Sequence, residues 1–270
     1  FIPTDERYKE MLQYIHKLYA EGLINQNVYT VKPEERTAKG QDGLYGATVI
    51  TDPAPNFGLD YYIGAPALEG PHGDKLYANY IAPLVFVGGF AITDKNPNPE
   101  ATVRWIDYFY GDEGTKFYFM GVKGKTYEEE SDGTVEYTDL IENNPDGLSY
   151  TEAISKYLTW RGIQYPAIVK QKYFKGSEGL PTSLKAAEKV ANDVPKETWP
   201  LFNYTEEENE IMSTVGTDIE DFVKESTARF ITGKASFNEW DKYVEQLNKM
   251  GLDQYMDIYN EAYKRYKEAK

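Results

Sequence analysis

The feature that most constrains the fold is the stretch YIAPLVFVGGFAIT (residues 80–93), a nearly continuous apolar run that stops at Asp94. Such a run is typical of a strand buried on both faces, as in an α/β sheet. A turn with two prolines follows. Asn98-Pro99 then predicts the start of a helix, because asparagine caps helix N-termini and proline tolerates the first helical position. We therefore predict an α/β fold in which the chain passes sharply from a buried strand into a helix.

Apolar residues at helical spacing predict further helices at both ends of the chain. The first covers residues 5–21, where Asp5 is a suitable N-cap. The last third is predicted to be helical as well. It contains two capping boxes, Thr205-x-x-Glu208 and Ser236-x-x-Glu239, and each precedes an apolar stripe.

Shorter extended segments are predicted between these helical regions. Leu44–Ile50 and the stretch DYYIGAPALEGPHGDK (residues 60–75) have the composition of strands followed by Gly/Pro turns. Asp132-Gly133 lies inside an alternating stretch and is a strong signal for a β-hairpin. Trp105 and Trp240 lie on apolar helix stripes, which predicts that both belong to the core.

The charge of the chain limits its partners. The 270 residues include 29 Lys and Arg against 44 Asp and Glu, a formal net charge of −15. Nucleic-acid binding needs clustered basic charge, so we expect no nucleic-acid partner. The chain has no cysteine, which excludes disulfides and thiolate chemistry. It begins at Phe1 in what is already the start of a helix, which predicts a piece of a longer protein.

Catalytic motifs are missing from the sequence. The two histidines, His16 and His72, are far apart in sequence, and no nucleophile elbow, P-loop, HExxH or dinucleotide-binding pattern occurs. We therefore expect no enzyme, no metal site and no cofactor. A glycosidase that uses two carboxylates remains an alternative, because the sequence cannot select a pair among so many acids.

Tyrosine is over-represented, with 24 Tyr against 12 Phe. Its flat apolar ring and polar tip suit wet binding surfaces, including surfaces that bind sugars. The alternative is that these tyrosines cover helix surfaces with no ligand.

Three blocks, GGFAIT, NPNPEATVRWIDYFYGDEG and FITGKASFNEWDKYVEQLNKMGLDQY, occur in this order along the chain. With them the chain resembles the C-terminal portion of extracellular solute-binding proteins of the family 1 type. These are lipoproteins that serve carbohydrate ABC importers in Gram-positive bacteria. The resemblance runs along essentially the whole chain and is weakest in residues 120–204.

The resemblance implies a helix-rich, periplasmic-binding-protein-like two-lobe fold (type II), of which this chain is the C-terminal part only. Residues 1–87 would belong to the second lobe, and residues 88–150 would hold the hinge crossing and part of the first lobe. Residues 151–204 would form an irregular segment beside the cleft, and residues 205–270 would return to the second lobe. Gly88 and Gly89 would supply a thin backbone at the hinge.

The resemblance also suggests where a ligand would bind. Relatives often place a ligand-stacking aromatic after a strand, and Phe57 with Asn56 is the candidate for that position. Trp160, Arg161, Gln164 and Tyr165 form a second candidate group, because no helical stripe explains them. Packing on the lobe is the alternative for both groups, and Trp199 is left undecided.

The function implied by the resemblance is capture of an oligosaccharide in the cleft between the lobes by ring stacking and hydrogen bonds. The implied partners are the oligosaccharide, the permease of the ABC transporter and the missing N-terminal half of the same protein. The implied location is extracellular, attached to the cell membrane through a lipid anchor on that missing half. A non-sugar solute such as a peptide is the alternative ligand.

Overall fold

The computed structural model describes residues 1–50, 52–77, 89–161, 167–170, 172–176, 179–196, 199 and 201–268. Its contacts divide the chain into two compact units. Unit 1 consists of Phe1–Lys32 and Trp199–Lys270, and unit 2 consists of Pro33–Thr198.

The described residues are mainly helical. In chain order the α-helices are α1 (Glu6–Ala20), α2 (Pro33–Gln41), α3 (Pro53–Phe57), α4 (Pro99–Asp107), α5 (Asp112–Met120), α6 (Asp139–Glu142), α7 (Tyr150–Tyr157), α8 (Pro181–Val190), α9 (Glu206–Ile211), α10 (Thr217–Ile231), α11 (Trp240–Lys249) and α12 (Leu252–Glu268). Short 3-10 turns occupy Ile2–Thr4, Tyr108–Tyr110 and Phe237–Glu239, and a π turn (Met212–Gly216) joins α9 to α10.

The predicted helix starts in unit 1 are confirmed by their cap geometry. The Asp5 carboxylate accepts a hydrogen bond from the Arg7 backbone N–H at 2.8 Å and caps α1. Both predicted capping boxes form, at Thr205–Glu208 before α9 and at Ser236–Glu239 before α11. Each box satisfies backbone donors that the first helical turn leaves without a partner.

The core of unit 1 lies where α1, α10, α11 and α12 pack together. Its buried members are Leu12, Ile219, Phe230, Ile231, Trp240, Tyr243, Leu247, Leu252 and Tyr255. The prediction that Trp240 belongs to the core is confirmed, since it is 2% exposed. In the described part of the chain, the Tyr243 hydroxyl is the one buried side-chain polar atom without a hydrogen-bond partner.

The core of unit 2 is built on α5, α7 and a β-hairpin. Phe119, Met120, Val135, Ile141, Ala153, Ile154, Trp160 and Tyr173 are among its buried members. The Tyr137 hydroxyl donates to the Phe119 carbonyl at 2.7 Å inside this core, and burial raises the pKa of that hydroxyl.

The hairpin predicted at Asp132-Gly133 is confirmed. Strands β1 (Tyr127–Glu129) and β2 (Val135–Tyr137) pair antiparallel, with Glu128 opposite Glu136. Gly133 has a φ of +86°, which glycine adopts without the steric cost that a Cβ brings. Among the described residues this pair is the only sheet.

The shorter strands predicted between residues 44 and 75 are wrong. Neither Leu44–Ile50 nor the stretch from residue 60 to residue 75 is a strand, and Pro53–Phe57 between them is the helix α3. A strand requires a hydrogen-bonded neighbour, and no described residue pairs with either segment. Of the long apolar run, residues 78–88 lie outside the described residues, so the strand predicted there, including Gly88, has no structural outcome.

Trp105 was predicted to be core, and this prediction is wrong. Trp105 is 57% exposed on α4, and Val103 on the same helix is 52% exposed. No residue of α4 is buried, although its apolar residues follow the helical spacing. The described chain supplies no surface that covers this face.

Candidate functional site

The first predicted site segment follows Asp52, which is 2% exposed. Its carboxylate accepts hydrogen bonds from the Ala54 backbone N–H at 2.9 Å, from Ser183 Oγ at 2.9 Å and from the Thr182 hydroxyl. It therefore caps α3 and ties it to the first turn of α8. The Asn56 amide donates back to the Asp52 carbonyl at 2.7 Å. Residues of unit 2 thus hold this segment in place.

Phe57 closes the segment and is 3% exposed. A Cβ placed on Gly40 would lie 2.4 Å from the Phe57 ring, and Tyr45 lies 6.2 Å away between ring centroids. This environment favours packing, the alternative considered for Phe57. Asn56 beside it is half-buried. A binding role for the two residues stays a prediction.

The second predicted group begins at Trp160, which is also 3% exposed. Its ring lies 5.5 Å from Phe119 and 5.0 Å from Phe174, and its backbone N–H donates to the Tyr118 carbonyl at 3.1 Å. Trp160 is therefore part of the core of unit 2. Arg161 next to it is exposed.

The rest of the predicted site is only partly described. Gln164 and Tyr165 lie outside the described residues, as does the hinge residue Gly88, while Gly89 is half-buried in a bend. The hinge and the binding roles of Arg161, Gln164 and Tyr165 stay predictions.

The structure reveals an aromatic surface that sequence reasoning left undecided. Trp199 is 53% exposed, and its indole is stacked on Tyr259 at 5.5 Å and 28° and on Tyr263 at 5.9 Å and 19°. Phe202 meets the indole edge-on at 5.3 Å. We call these four residues the Trp199 surface. All of them lie in unit 1.

A row of polar atoms continues from this surface along α12. The Tyr255 hydroxyl donates to Glu220 Oε1 at 3.0 Å and lies 3.4 Å from the Tyr259 hydroxyl. Burial raises the pKa of Tyr255, and the neighbouring Tyr259 and Glu220 raise it further. The pKa of Tyr204 is raised by burial and by its hydrogen bond to Tyr259. These hydroxyls stay protonated at neutral pH and can donate hydrogen bonds.

The signal for this surface is present in the sequence. Tyr255, Tyr259 and Tyr263 recur every four residues, a spacing that puts them on one face of a helix. What the sequence does not contain is the distant residue that stacks on that face. Trp199 is 60 residues away, so its partner is visible only in the structure.

The described residues contain no group of three or more His, Cys, Asp or Glu arranged to hold a metal ion. Over the same residues, no helix combines the length and the apolar character that crossing a membrane requires.

Two curated proteins are similar along this chain, while no protein-family model matches it. The fructooligosaccharide ABC transporter substrate-binding protein FusA of Streptococcus pneumoniae serotype 4 is 24% identical over 282 residues. The match covers 100% of this chain and 51% of that protein. Lipoprotein LipO of Bacillus subtilis is 24% identical over 279 residues, which is 98% of this chain and 52% of LipO. The chain thus spans about half the length of the curated relatives it matches.

Solved structures are similar over the same extent. The alginate-binding protein AlgQ2 without calcium ion matches with a TM-score of 0.78 at 20% identity, over 97% of this chain and 55% of that one. FusA in complex with kestose matches with a TM-score of 0.77 at 22% identity, over 99% of this chain and 55% of that one. A solute-binding protein from Bifidobacterium longum infantis, described as binding HMO, has a TM-score of 0.66 at 19% identity, with 98% and 55% covered.

These matches show that the chain has the fold of solute-binding proteins, in the helix-rich, C-terminal part of that fold. The predicted resemblance to substrate-binding proteins of sugar ABC transporters is confirmed.

Proposed function

We propose that this chain is the C-terminal half of an extracellular solute-binding protein that captures an oligosaccharide for an ABC importer. The observation that carries the proposal is the similarity along the entire chain to a substrate-binding protein whose name specifies a fructooligosaccharide. The structural neighbours bear names that specify alginate, kestose and HMO. These ligands differ in chemistry but are all carbohydrates, so an oligosaccharide is the class we assign.

The proposal includes binding without catalysis. FusA and the Bifidobacterium protein are named as substrate- or solute-binding proteins of ABC transporters, and AlgQ2 is named as a binding protein. Capture would use lobe closure, with rings against the C–H faces of the sugar and hydrogen bonds to its hydroxyls. The partner that receives the sugar would be the transporter's permease. A lipid anchor on the upstream half would hold the protein at the outer face of the cell membrane, as the name of LipO suggests for that relative.

The upstream half is itself a proposed partner, and unit 2 exposes apolar residues that it would cover. Val49 is 84% exposed, Ile63 83% and Leu68 78%, and all three lie in segments that form no strand with any described residue. The apolar face of α4 is exposed as well, with Trp105 at 57%. Large exposed apolar patches mark interaction sites, and a further half of the fold would cover these.

The test is titration calorimetry with a panel of oligosaccharides, using the protein with its upstream sequence and peptides as controls. Saturable binding of one glycan class, with the sugar recovered intact after long incubation, would support the proposal. Cleavage of the sugar would support the glycosidase instead. Binding of peptides and of no sugar would replace the carbohydrate assignment.

A further inference from the structure

We propose that the outer face of the Trp199 indole is a sugar-stacking platform that holds one unit of a neutral oligosaccharide. The proposal rests on the function proposed above and assigns to it a contact residue in unit 1. It differs from the candidate residues predicted from the sequence, of which the described aromatic members, Phe57 and Trp160, are each 3% exposed.

Two tyrosine rings of α12 stack on the Trp199 indole, and about half of the residue stays exposed. Tyr259 and Tyr263 are four residues apart on α12, so their side chains lie on the same side of that helix. Both rings are nearly parallel to the indole, at interplanar angles of 28° and 19°. Trp199 is nevertheless 53% exposed, so the exposed area lies on the face turned away from α12. A flat, free aromatic face is what the C–H face of a sugar ring stacks on.

The segment that carries the platform is fixed by α12 and α9. The Arg265 guanidinium donates to the Asn203 carbonyl at 3.3 Å while it is held by both carboxylate oxygens of Glu208, at 2.9 and 2.6 Å. The Asn209 amide donates to the Tyr204 carbonyl at 3.3 Å. A surface that is ordered before the ligand arrives loses less entropy on binding.

Groups that can hydrogen-bond to sugar hydroxyls lie next to the platform. Tyr259, which backs the indole, lies within 3.4 Å of the Tyr255 hydroxyl, and that hydroxyl donates to the exposed carboxylate of Glu220. Among the described residues no donor is bonded to the second Glu220 oxygen, which can accept a hydrogen bond from a ligand hydroxyl.

The backbone at this row is irregular. The π turn Met212–Gly216 precedes α10, and a Cβ on Gly216 would lie 3.4 Å from the Tyr255 ring. Turns of this kind interrupt helices frequently at functional sites. The π turn therefore sets the register at which α10 presents Glu220 to Tyr255.

The negative charge of the chain favours a neutral sugar over an acidic one as the ligand of this surface. Glu220 is an exposed carboxylate. The Arg265 guanidinium, which also donates to the Asn203 carbonyl, is already paired with both carboxylate oxygens of Glu208. The whole chain carries a net charge of −15. In the described chain, Lys267 Nζ is the cation nearest to the platform, 5.4 Å from the Tyr263 ring centroid. Because the chain as a whole is strongly acidic, its net charge favours a neutral sugar, which needs only the stacking face and hydrogen bonds, over a uronate.

The test uses the protein with its upstream sequence, together with Trp199→Ala, Trp199→Phe and the control Tyr14→Ala. Tyr14 is 62% exposed on α1 of the same unit, so the control removes an exposed ring elsewhere. Calorimetry with neutral fructo- and gluco-oligosaccharides and with alginate oligosaccharides measures Kd. We expect Trp199→Ala to weaken the neutral sugar about tenfold, and Trp199→Phe and Tyr14→Ala to change Kd by less than about threefold.

Fluorescence supplies a second readout that does not depend on the folding of Trp199→Ala. Binding should change the tryptophan emission of the wild type, and this change should be clearly smaller in Trp199→Phe, because three other tryptophans remain in the chain, while calorimetry still detects binding. A wild-type Kd in Trp199→Ala, or an unchanged emission response in Trp199→Phe, would overturn the platform and leave the sugar-binding function standing. Preference for alginate over neutral sugars would overturn the assigned ligand class. A wild type that binds no sugar would instead overturn the proposed function.

Discussion

Arg265 on α12 and Glu208 on α9 form a two-pronged ion pair, in which Nη1 lies 2.9 Å from Oε1 and Nη2 lies 2.6 Å from Oε2. Paired N–H groups of this kind match the geometry of a carboxylate. The same Glu208 also completes the capping box with Thr205. One side chain thus starts α9 and joins it to the last helix of unit 1.

The pair predicts a specific dependence of stability on pH. The Arg265 guanidinium holds the pKa of Glu208 below its ordinary value. Because the folded-state pKa is lowered, the pair contributes stability above the unfolded-state pKa of about 4.3, and this contribution is lost as pH falls towards the folded-state value. The difference in Tm between the wild type and Glu208→Gln should therefore be constant from pH 7 to about pH 5 and should shrink below about pH 4.3.

Circular dichroism melts between pH 7 and pH 3 measure this difference. Glu206→Gln, which removes an acid from the same helical turn without breaking the pair, is the matched control. If the wild type and Glu208→Gln differed by the same Tm at pH 3 as at pH 7, the lowered pKa of Glu208 would be refuted.

Phe57 packs directly against Gly40, so a substitution at either residue should lower the stability of the fold. Phe57→Ala should lower the free energy of unfolding by about 3–5 kcal/mol, because it removes a buried ring. Gly40→Ala should lower it by about 1–3 kcal/mol, because its new Cβ would lie 2.4 Å from that ring. Gly46→Ala is the control, since a Cβ there meets no atom within 4 Å.

Urea unfolding of the three variants checks the role of Phe57. Wild-type stability in Phe57→Ala, combined with a loss of sugar affinity, would contradict the packing role and restore Phe57 as a stacking residue.

Removal of the Tyr243 hydroxyl should cause no loss of folding stability. Because it is buried without a partner, Tyr243→Phe should leave the free energy of unfolding unchanged or raise it by about 1 kcal/mol. Tyr137→Phe is the matched comparison, because the Tyr137 hydroxyl donates to the Phe119 carbonyl at 2.7 Å. That variant should lose about 1 kcal/mol.

Thermal melts of both variants provide the measurement. Destabilisation of Tyr243→Phe by as much as Tyr137→Phe would mean that the Tyr243 hydroxyl has a hydrogen bond in solution.

The local signals in the sequence predicted the helices well. The capping boxes at Thr205 and Ser236 and the Asp132-Gly133 turn formed as expected, because each depends on residues a few positions apart. The strand predicted at Leu44–Ile50 did not form, because strand pairing depends on a neighbour that the described chain does not supply. The prediction that Trp105 belongs to the core was wrong for a related reason. Its helical spacing predicts a buried face, but burial needs a partner surface.

The candidate site was harder to predict than the helices. Phe57 and Trp160 have the composition of a binding site, yet both are buried in unit 2. The tyrosine spacing on α12 was visible in the sequence, but the stack between Trp199 and Tyr259 joins residues 60 positions apart. A contact of that range follows from the fold, and no local pattern encodes it.

The exposed apolar segments of unit 2 predict a change on addition of the upstream half. Backbone amides of residues 45–50 and 61–68 should exchange hydrogen rapidly in this chain alone and slowly in the longer protein, because no described residue pairs with this backbone as a strand. Peptides from the interior of α12, whose amides are already bonded within the helix, serve as the control. Equal exchange of the two segments in both proteins would contradict the proposed covering by the upstream half.

The measurement that tests the central claim most directly is calorimetric titration of the protein, with its upstream sequence, against neutral oligosaccharides. We predict saturable binding at one site per chain, no cleavage of the sugar, and a Kd about tenfold weaker in Trp199→Ala. The absence of heat with every oligosaccharide, from a protein shown to be folded by its melting transition, would contradict the assignment of this chain to sugar capture.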